Sequence, residues 1–266
     1  MKLIPWGGLA LNGGRSIIAL IVYVVFLFVT HHKLKINQWV ILGAIAVCGT
    51  NTLFAIANKM TTAANSIVLQ YTAPIFVIIL SALFLHQKVR RLNLTTCIFV
   101  FLGVICFFVD SLSGGNLFGD FLALISGITY AVVFMLEDMP DGDALSSLIV
   151  GTIISSVIGI PFMIGQPALN QTAIISMVFL GVFQMGLAFI CLTIGLKSTP
   201  PVTASLVTGI EPVLNPILVA VFYGEGMQIL SIIGAAIVVG SVIRYNLILA
   251  KEKRHIPKEN IAYKTN

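Results

Sequence analysis

Glu211 has the costliest placement in the chain. It stands near the middle of an apolar stretch, about residues 202–223, that is long enough to cross a bilayer. A charged side chain at such depth costs about 2.5–3.5 kcal/mol on insertion scales. Pro212 and Pro216 follow it and interrupt the backbone ladder. On a helical wheel Ser205, Thr208, Glu211, Pro212 and Asn215 share an arc of roughly 120°. Proline has no N–H, so the carbonyls of Thr208 and Pro212 lose their helical donors. A carboxyl, an amide, two hydroxyls and freed carbonyls suit a proton, a water or a substrate amine. A carboxyl that takes up and releases a proton is what proton antiport requires. Two plainer readings stay open. A neutral Glu211 bonds a neighbouring helix, or it sits at a helix interface that the Pro212 bend fixes.

Other polar residues also fall inside apolar stretches. Arg15 follows Gly13-Gly14. It either anchors an interface or meets an anionic substrate near the outer mouth. Asn51, Asn58 and Gln184 could line a route. Tyr130 lies one turn beyond Ser126 on the same helical face, where it could gate or stack. For Gln70 and Tyr71, two further hydrogen-bonding candidates, the alternative is helix–helix bonding worth under about 1–2 kcal/mol. Lys59 and Lys197 read as snorkelling anchors or helix C-terminal charges. Trp39 and Tyr245 read as belt residues at the membrane interface.

No metal-hydrolase, P-loop or nucleophile-elbow motif occurs, and intramembrane aspartates are not paired. No enzyme, cofactor or metal is expected. His31-His32 reads as an interfacial loop before a metal site. Glu137, Asp138, Asp141 and Asp143 read as solvated loop charge. Asn93-Leu94-Thr95 is a chance glycosylation pattern on the cytoplasmic side. Cys48, Cys97, Cys106 and Cys191 lie in apolar segments without CxxC spacing and read as packing residues.

The elements that carry these residues follow from composition. Of 266 residues, 58% are hydrophobic and 9% charged. Soluble domains carry about 25% charged residues, so this is a polytopic membrane protein whose first partner is the lipid bilayer. Nine helical spans are expected near 13–30, 38–58, 63–85, 94–110, 120–137, 145–165, 173–196, 202–223 and 229–248. They do not alternate as barrel strands would. The net charge of +5 does not point to nucleic acid, because five cations sit in the tail after the last span. Nor does a cleaved signal peptide open the chain. Crossing nine spans leaves Lys2, Arg15 and Lys59 on one side and the other twelve cations opposite. The positive-inside rule makes that richer side, with the C-terminus, cytoplasmic.

A shift of 138 positions lays the second and third spans on the seventh and eighth. Leu42-Gly43 falls on Leu180-Gly181, Lys59 on Lys197, Pro74 on Pro212 and Phe84 on Phe222. Gln70 takes the place of Thr208, Tyr71 that of Gly209, and Ala73 that of Glu211. Gln70 and Tyr71 are therefore the first-copy candidates for hydrogen bonding, and the acid belongs to the second copy alone. Matched spans lie an odd number apart, so the copies are inverted, as in secondary transporters. The expected fold is all-α, an inverted five-plus-five repeat without its first helix. The divisions are 1–112 for the first repeat (four of five helices), 113–250 for the second (five helices) and 251–266 for a basic cytoplasmic tail.

Gly119-Asp120 with the following Phe121–Ser126, the Lys197–Glu225 block with Glu211-Pro212, and the Tyr223-Gly224-Glu225 ending resemble the drug/metabolite transporter superfamily. The nearest branch is the ten-helix EamA-type exporters. His86-Gln87 departs from the Gly-Glu that often closes the corresponding first-copy helix. The resemblance implies five-plus-five inverted repeats, both ends in the cytoplasm and a central substrate cavity. The expected function is export of a small organic metabolite or drug-like compound by proton-coupled alternating access, in a bacterial plasma membrane. Protons are the expected coupling ion, and a homodimer stays open. The alternative is a truncated, transport-inactive membrane protein with a structural or regulatory role.

Overall fold

The computed structural model describes residues 3–109, 116–214 and 229–255. Asn215, Pro216 and the Tyr223-Gly224-Glu225 ending lie outside them. Among the described residues there is no strand. The helices are α1 (Gly8–Thr30), α2 (Gln38–Met60), α3 (Ala63–Gln70), α4 (Ala73–Phe84), α5 (Arg91–Phe108) and α6 (Leu117–Phe134). They continue with α7 (Ala144–Met163), α8 (Gln171–Phe179), α9 (Ala188–Leu196), α10 (Pro201–Thr208) and α11 (Ile229–His255). A π-helical segment, Leu180–Leu187, joins α8 to α9. Among the described residues seven helical stretches are long and apolar enough to cross a membrane, and Arg91–Cys106 and Pro201–Leu214 are shorter apolar helices.

Side chains that can replace a missing backbone acceptor set the helix starts. Asn37 accepts the Trp39 and Val40 amides, Thr62 that of Asn65, and Asn116 those of Phe118 and Gly119. Asp143 accepts from Ser146 and Asn170 from Ala173. Each cap follows a short polar connection, so local chemistry marks where one span ends and the next begins.

The chain forms two compact units, and each draws on both halves of the sequence. The first comprises Met1–Lys88 and Asp110–Ser205, the second Val89–Val109 and Leu206–Asn266. In the first, glycines let backbones meet. A Cβ on Gly13 would lie 2.7 Å from the Gly159 Cα, joining α1 to α7. Gly151 of α7 abuts the Ala44 carbonyl of α2, and Gly181 abuts Ile18 of α1. Small residues are the usual means of close helix packing in lipid, where no hydrophobic force drives helices together. A cluster of Ile4, Leu11, Ala173 and Met177 closes one end, with Trp6 against it. Large apolar side chains such as Phe28, Ile36 and Leu117 are exposed, as a lipid-facing surface requires.

Connections of the first unit sort into two ends. At one, Trp6 Nε1 donates to the Pro167 carbonyl (2.9 Å), Lys59 Nζ to the Ile4 carbonyl (2.5 Å) and Thr61 Oγ1 to Asp120 Oδ1 (2.7 Å). At the other, His32 meets Asp143 (2.8 Å), Asn37 Nδ2 donates to the Asp141 carbonyl (2.8 Å) and Gln87 Nε2 to Asp138 (3.3 Å). This is the alternation that successive crossings impose.

In the second unit α5 and α11 run antiparallel. Tyr245 Oη bonds Asn93 Oδ1 at 3.1 Å, and Arg90 Nη2 reaches both Glu252 oxygens at 2.6 and 2.8 Å. The pair with Glu252 holds the exposed Arg90 guanidinium more firmly protonated than usual. Tyr245 is buried, so it is a packing residue of this pair and not an interfacial belt residue.

Candidate functional site

The third and eighth spans are interrupted at matching positions. α3 ends at Gln70, Tyr71-Thr72 form a turn, and α4 begins at Ala73. α10 ends at Thr208, Gly209-Ile210 form a turn, and helix resumes at Glu211. The shift of 138 carries α3 onto α10 end to end and one turn onto the other. The bonds match as well. Thr72 N donates to Leu69 O and Ile210 N to Val207 O, both at 3.2 Å. Ile75 N donates to Thr72 O at 2.9 Å and Val213 N to Ile210 O at 3.2 Å. These tightened i to i−3 bonds replace the ladder that Pro74 and Pro212 break.

The wheel placing Ser205, Thr208, Glu211 and Asn215 on one stripe assumes an unbroken helix. The turn at Gly209-Ile210 changes that geometry. Ser205 is buried and donates to the Val202 carbonyl at 2.9 Å, whereas Thr208 is half-buried and Glu211 exposed. Glu211 is the first residue of the resumed helix, where the unpaired amides of a helix start favour a carboxylate. Asn215 lies outside the described residues.

The first break rests on α6. A Cβ on Gly127 would lie 2.9 Å from the Gln70 carbonyl and 3.1 Å from Thr72 Oγ1. Gln70 Nε2 donates to Ser126 Oγ at 3.3 Å. Thr129 Oγ1 donates to the Ser126 carbonyl at 3.0 Å and accepts from Thr50 Oγ1 at 2.9 Å. Gln70 thus belongs to a polar seam joining α2, α3 and α6. Tyr71 is half-buried, and its amide donates to the Ile67 carbonyl at 2.9 Å. Half-buried Tyr130 packs its ring 4.7 Å from Phe134 and 6.4 Å from Phe189, an aromatic contact between α6 and α9.

A second polar group forms around Arg15. The side chain is buried, 3% exposed. Its Nε and Nη2 both reach Asn12 Oδ1, at 3.1 and 3.0 Å, and Nη2 also reaches the Asn51 carbonyl at 3.0 Å. Nη1 meets Gln184 Oε1 at 3.5 Å, the limit of a hydrogen bond. Asn12 Nδ2 donates to Thr52 Oγ1 at 3.0 Å, and Asn51 Nδ2 donates to the Val47 carbonyl at 3.1 Å. Arg15, Asn51 and Gln184 therefore come together, although the sequence named them separately. Asn12 completes the group, a residue that sequence reasoning misses. Its signal was an amide three residues before the arginine on an apolar helix. The π-helical segment brings Gln184 into this group, and Tyr23 Oη clamps the same segment through the Met185 carbonyl at 2.6 Å. Extra-wide turns of this kind concentrate at functional sites.

Two other residues differ from the sequence reading, one in a loop and one on α9. Asp143 is not solvated loop charge. It is buried, caps α7 and pairs with His32. Cys191 is exposed, while Cys48 and Cys97 are buried, so packing explains only part of the cysteine set. Among the described residues no group of three or more His, Cys, Asp or Glu could hold a metal.

Several apolar helices, two of them interrupted at one register and bearing polar groups within the spans, define a multi-pass membrane transporter. The chain belongs to the EamA-like transporter family, whose model matches residues 3–109 and 117–247. It is 24% identical over 225 residues to an uncharacterized transporter of Clostridium kluyveri, covering 77% of this chain and 72% of that protein. It is 22% identical over 239 residues to the uncharacterized transporter YyaM of Bacillus subtilis, covering 84% and 75%. A solved crystal structure shares the fold, with a TM-score of 0.74, 17% identity and coverage of 90% of this chain and 89% of that one.

Proposed function

We propose that this transporter exports a small organic metabolite or drug-like compound by proton-coupled alternating access, with Glu211 as the proton carrier. The carrying observation is the matched pair of interrupted spans, with Glu211 directly after the second interruption. Discontinuous helices in inverted repeats place open backbone groups and helix ends at the midplane, where transporters bind substrate and coupling ion. The mirror position is Ala73, so the acid is not a requirement of the shared bend. The twelve-to-three division of cations supports a cytoplasmic C-terminus in a bacterial plasma membrane.

The test has two stages. Cells lacking and overproducing the full-length protein are screened for altered tolerance to a compound panel. Flux of the responding compound is then measured in proteoliposomes under an imposed pH gradient, with wild type and Glu211→Gln. The expected result is pH-driven flux in wild type that falls at least tenfold in the variant. Equal pH-driven flux in both removes Glu211 from the coupling.

A further inference from the structure

We infer that the cargo carries an anionic group, a carboxylate, and that Arg15 and Gln184 bind it. This rests on the transporter reading above and gives it a substrate class.

The charge balance is the starting point. Among the described residues two charged side chains are buried, Arg15 and Asp143. Asp143 has His32 at 2.8 Å. Arg15 has only neutral acceptors: the Asn12 amide oxygen, the Asn51 carbonyl and the Gln184 amide oxygen. No carboxylate pairs with it among the described residues. Charged residues within membrane spans are normally paired, or else mark a ligand or ion path. A neutral shell satisfies hydrogen bonds but, among the described residues, supplies no charge to balance the guanidinium.

The hydrogen bonds show which side is open. A guanidinium has five N–H donors in a fixed fork. The Nε and Nη2 side is occupied by Asn12 and Asn51 at 3.0–3.1 Å. Nη1 has two N–H groups and a single acceptor, Gln184, at 3.5 Å. Gln184 is exposed while Arg15 is not, so the loosest edge of the guanidinium is also the edge reached from outside the cluster. A carboxylate there would take an Nη1 N–H and the Gln184 amide N–H, replacing one long neutral bond by charge-assisted ones. Asn12 and Asn51 hold the fork still, so little orientational freedom is lost on binding.

The location suits export. Arg15 lies seven residues into α1, about 10 Å from its start at 1.5 Å per residue. That start belongs to the end of the molecule assigned to the outside. An inside-negative potential favours exit of an anion. Proton entry moves charge in the same electrical sense, so both steps draw on the potential.

Equilibrium binding tests this without transport. The purified full chain in nanodiscs is titrated with three matched probe pairs: benzoate and benzamide, hexanoate and hexanamide, indole-3-acetate and indole-3-acetamide. Each titration is read by isothermal calorimetry and thermal shift. For the aliphatic pair, tryptophan emission is a third readout, since a Cβ on Gly14 would lie 3.2 Å from the Trp6 ring. The expected result is saturable binding of at least one acid, with its amide at least tenfold weaker. Arg15→Gln and Gln184→Ala should each erase the preference. Arg15→Lys, which keeps the charge and loses the fork, should retain a reduced preference. Were Arg15→Gln to misfold by size-exclusion profile, Gln184→Ala and Arg15→Lys would carry the decision. Acid and amide binding equally, no acid binding, saturation by chloride alone, or Gln184→Ala keeping the full preference would each overturn the assignment. The coupling role of Glu211 is read separately by flux, so either result can fail alone.

Discussion

His32 Nε2 lies 2.8 Å from Asp143 Oδ2, while Oδ1 of the same carboxylate accepts the Ser146 amide at 2.8 Å. One buried carboxylate therefore starts α7 and fastens the α1–α2 connection to it. Lys35 N adds a bond to Ser146 Oγ at 3.0 Å beside it. Loss of an N-cap costs about 0.5–2 kcal/mol, and the pair with His32 adds to that. Asp143→Asn keeps an oxygen for the cap and weakens the pair, whereas Asp143→Ala removes both. Thermal unfolding in detergent should rank wild type above Asp143→Asn, and that variant above Asp143→Ala. Equal midpoints for the two variants would show that the cap contributes nothing.

Glu137 gives a pH-dependent stability. It follows α6, and burial pushes its proton affinity above the usual glutamate range. The Ala144 amide opposes this, nearby Asp143 adds to it, and Lys197 and Lys35 oppose it. Because the folded state holds this proton more tightly than the unfolded chain, the stabilising contribution is fully present at low pH. It is lost as pH rises from the ordinary glutamate value through the raised one. Glu137→Gln keeps an oxygen for the Ala144 amide, which Oε1 now accepts at 3.0 Å, and cannot ionise. Midpoints measured from about pH 4 to 7 should fall less steeply in Glu137→Gln than in wild type.

The contact between α1 and α7 has no room for a methyl group. A Cβ on Gly159 would fall on the Gly13 Cα and amide, and one on Gly13 on the Gly159 backbone. Backbone cannot rotate aside as a side chain can, so Gly159→Ala must part the helices. Overpacking costs about 1–3 kcal/mol, and a backbone clash belongs at the upper end. Gly195 has nothing within 4 Å of its Cβ position. Gly195→Ala should be neutral or up to about 1 kcal/mol stabilising, from helix propensity alone. Parallel unfolding curves test the contrast, and equal effects would refute the close approach.

Hydropathy located the spans because lipid demands about 20 apolar residues per crossing, whatever the helix packs against. The repeat was readable for a similar reason. Pro74 and Pro212 act on their own backbone, so their effect survives translation into structure. The Glu211 stripe was less secure, since a wheel takes helical continuity for granted and Gly209-Ile210 interrupts it. The Arg15 cluster could not be assembled from sequence. Gln184 lies 169 residues from Arg15, and the π-helical turns that deliver it have no proline or charge to announce them. The pair of His32 and Asp143, 111 residues apart, was hidden in the same way. Loop charge looks alike in sequence whether it is solvated or buried.

The interrupted eighth span can be tested through the side chain that faces it. A Cβ on Gly209 would lie 2.7 Å from Val100 Cγ1, and Val100 of α5 is buried. Gly209→Ala therefore presses the turn against α5 and should cost about 1–3 kcal/mol. The obstructing atom is a side-chain methyl, so Val100→Ala removes it. Val100→Ala alone should destabilise through the cavity it leaves. In the double variant the new methyl on residue 209 occupies part of that space. The pair should then be less destabilised than the sum of the singles, by at least about 0.5 kcal/mol of coupling. Unfolding midpoints of the four proteins close this cycle. Flux measured on the same four should recover alongside stability if packing of the turn against α5 sets the working geometry next to Glu211. Strict additivity would mean that the Gly209 turn does not rest on Val100.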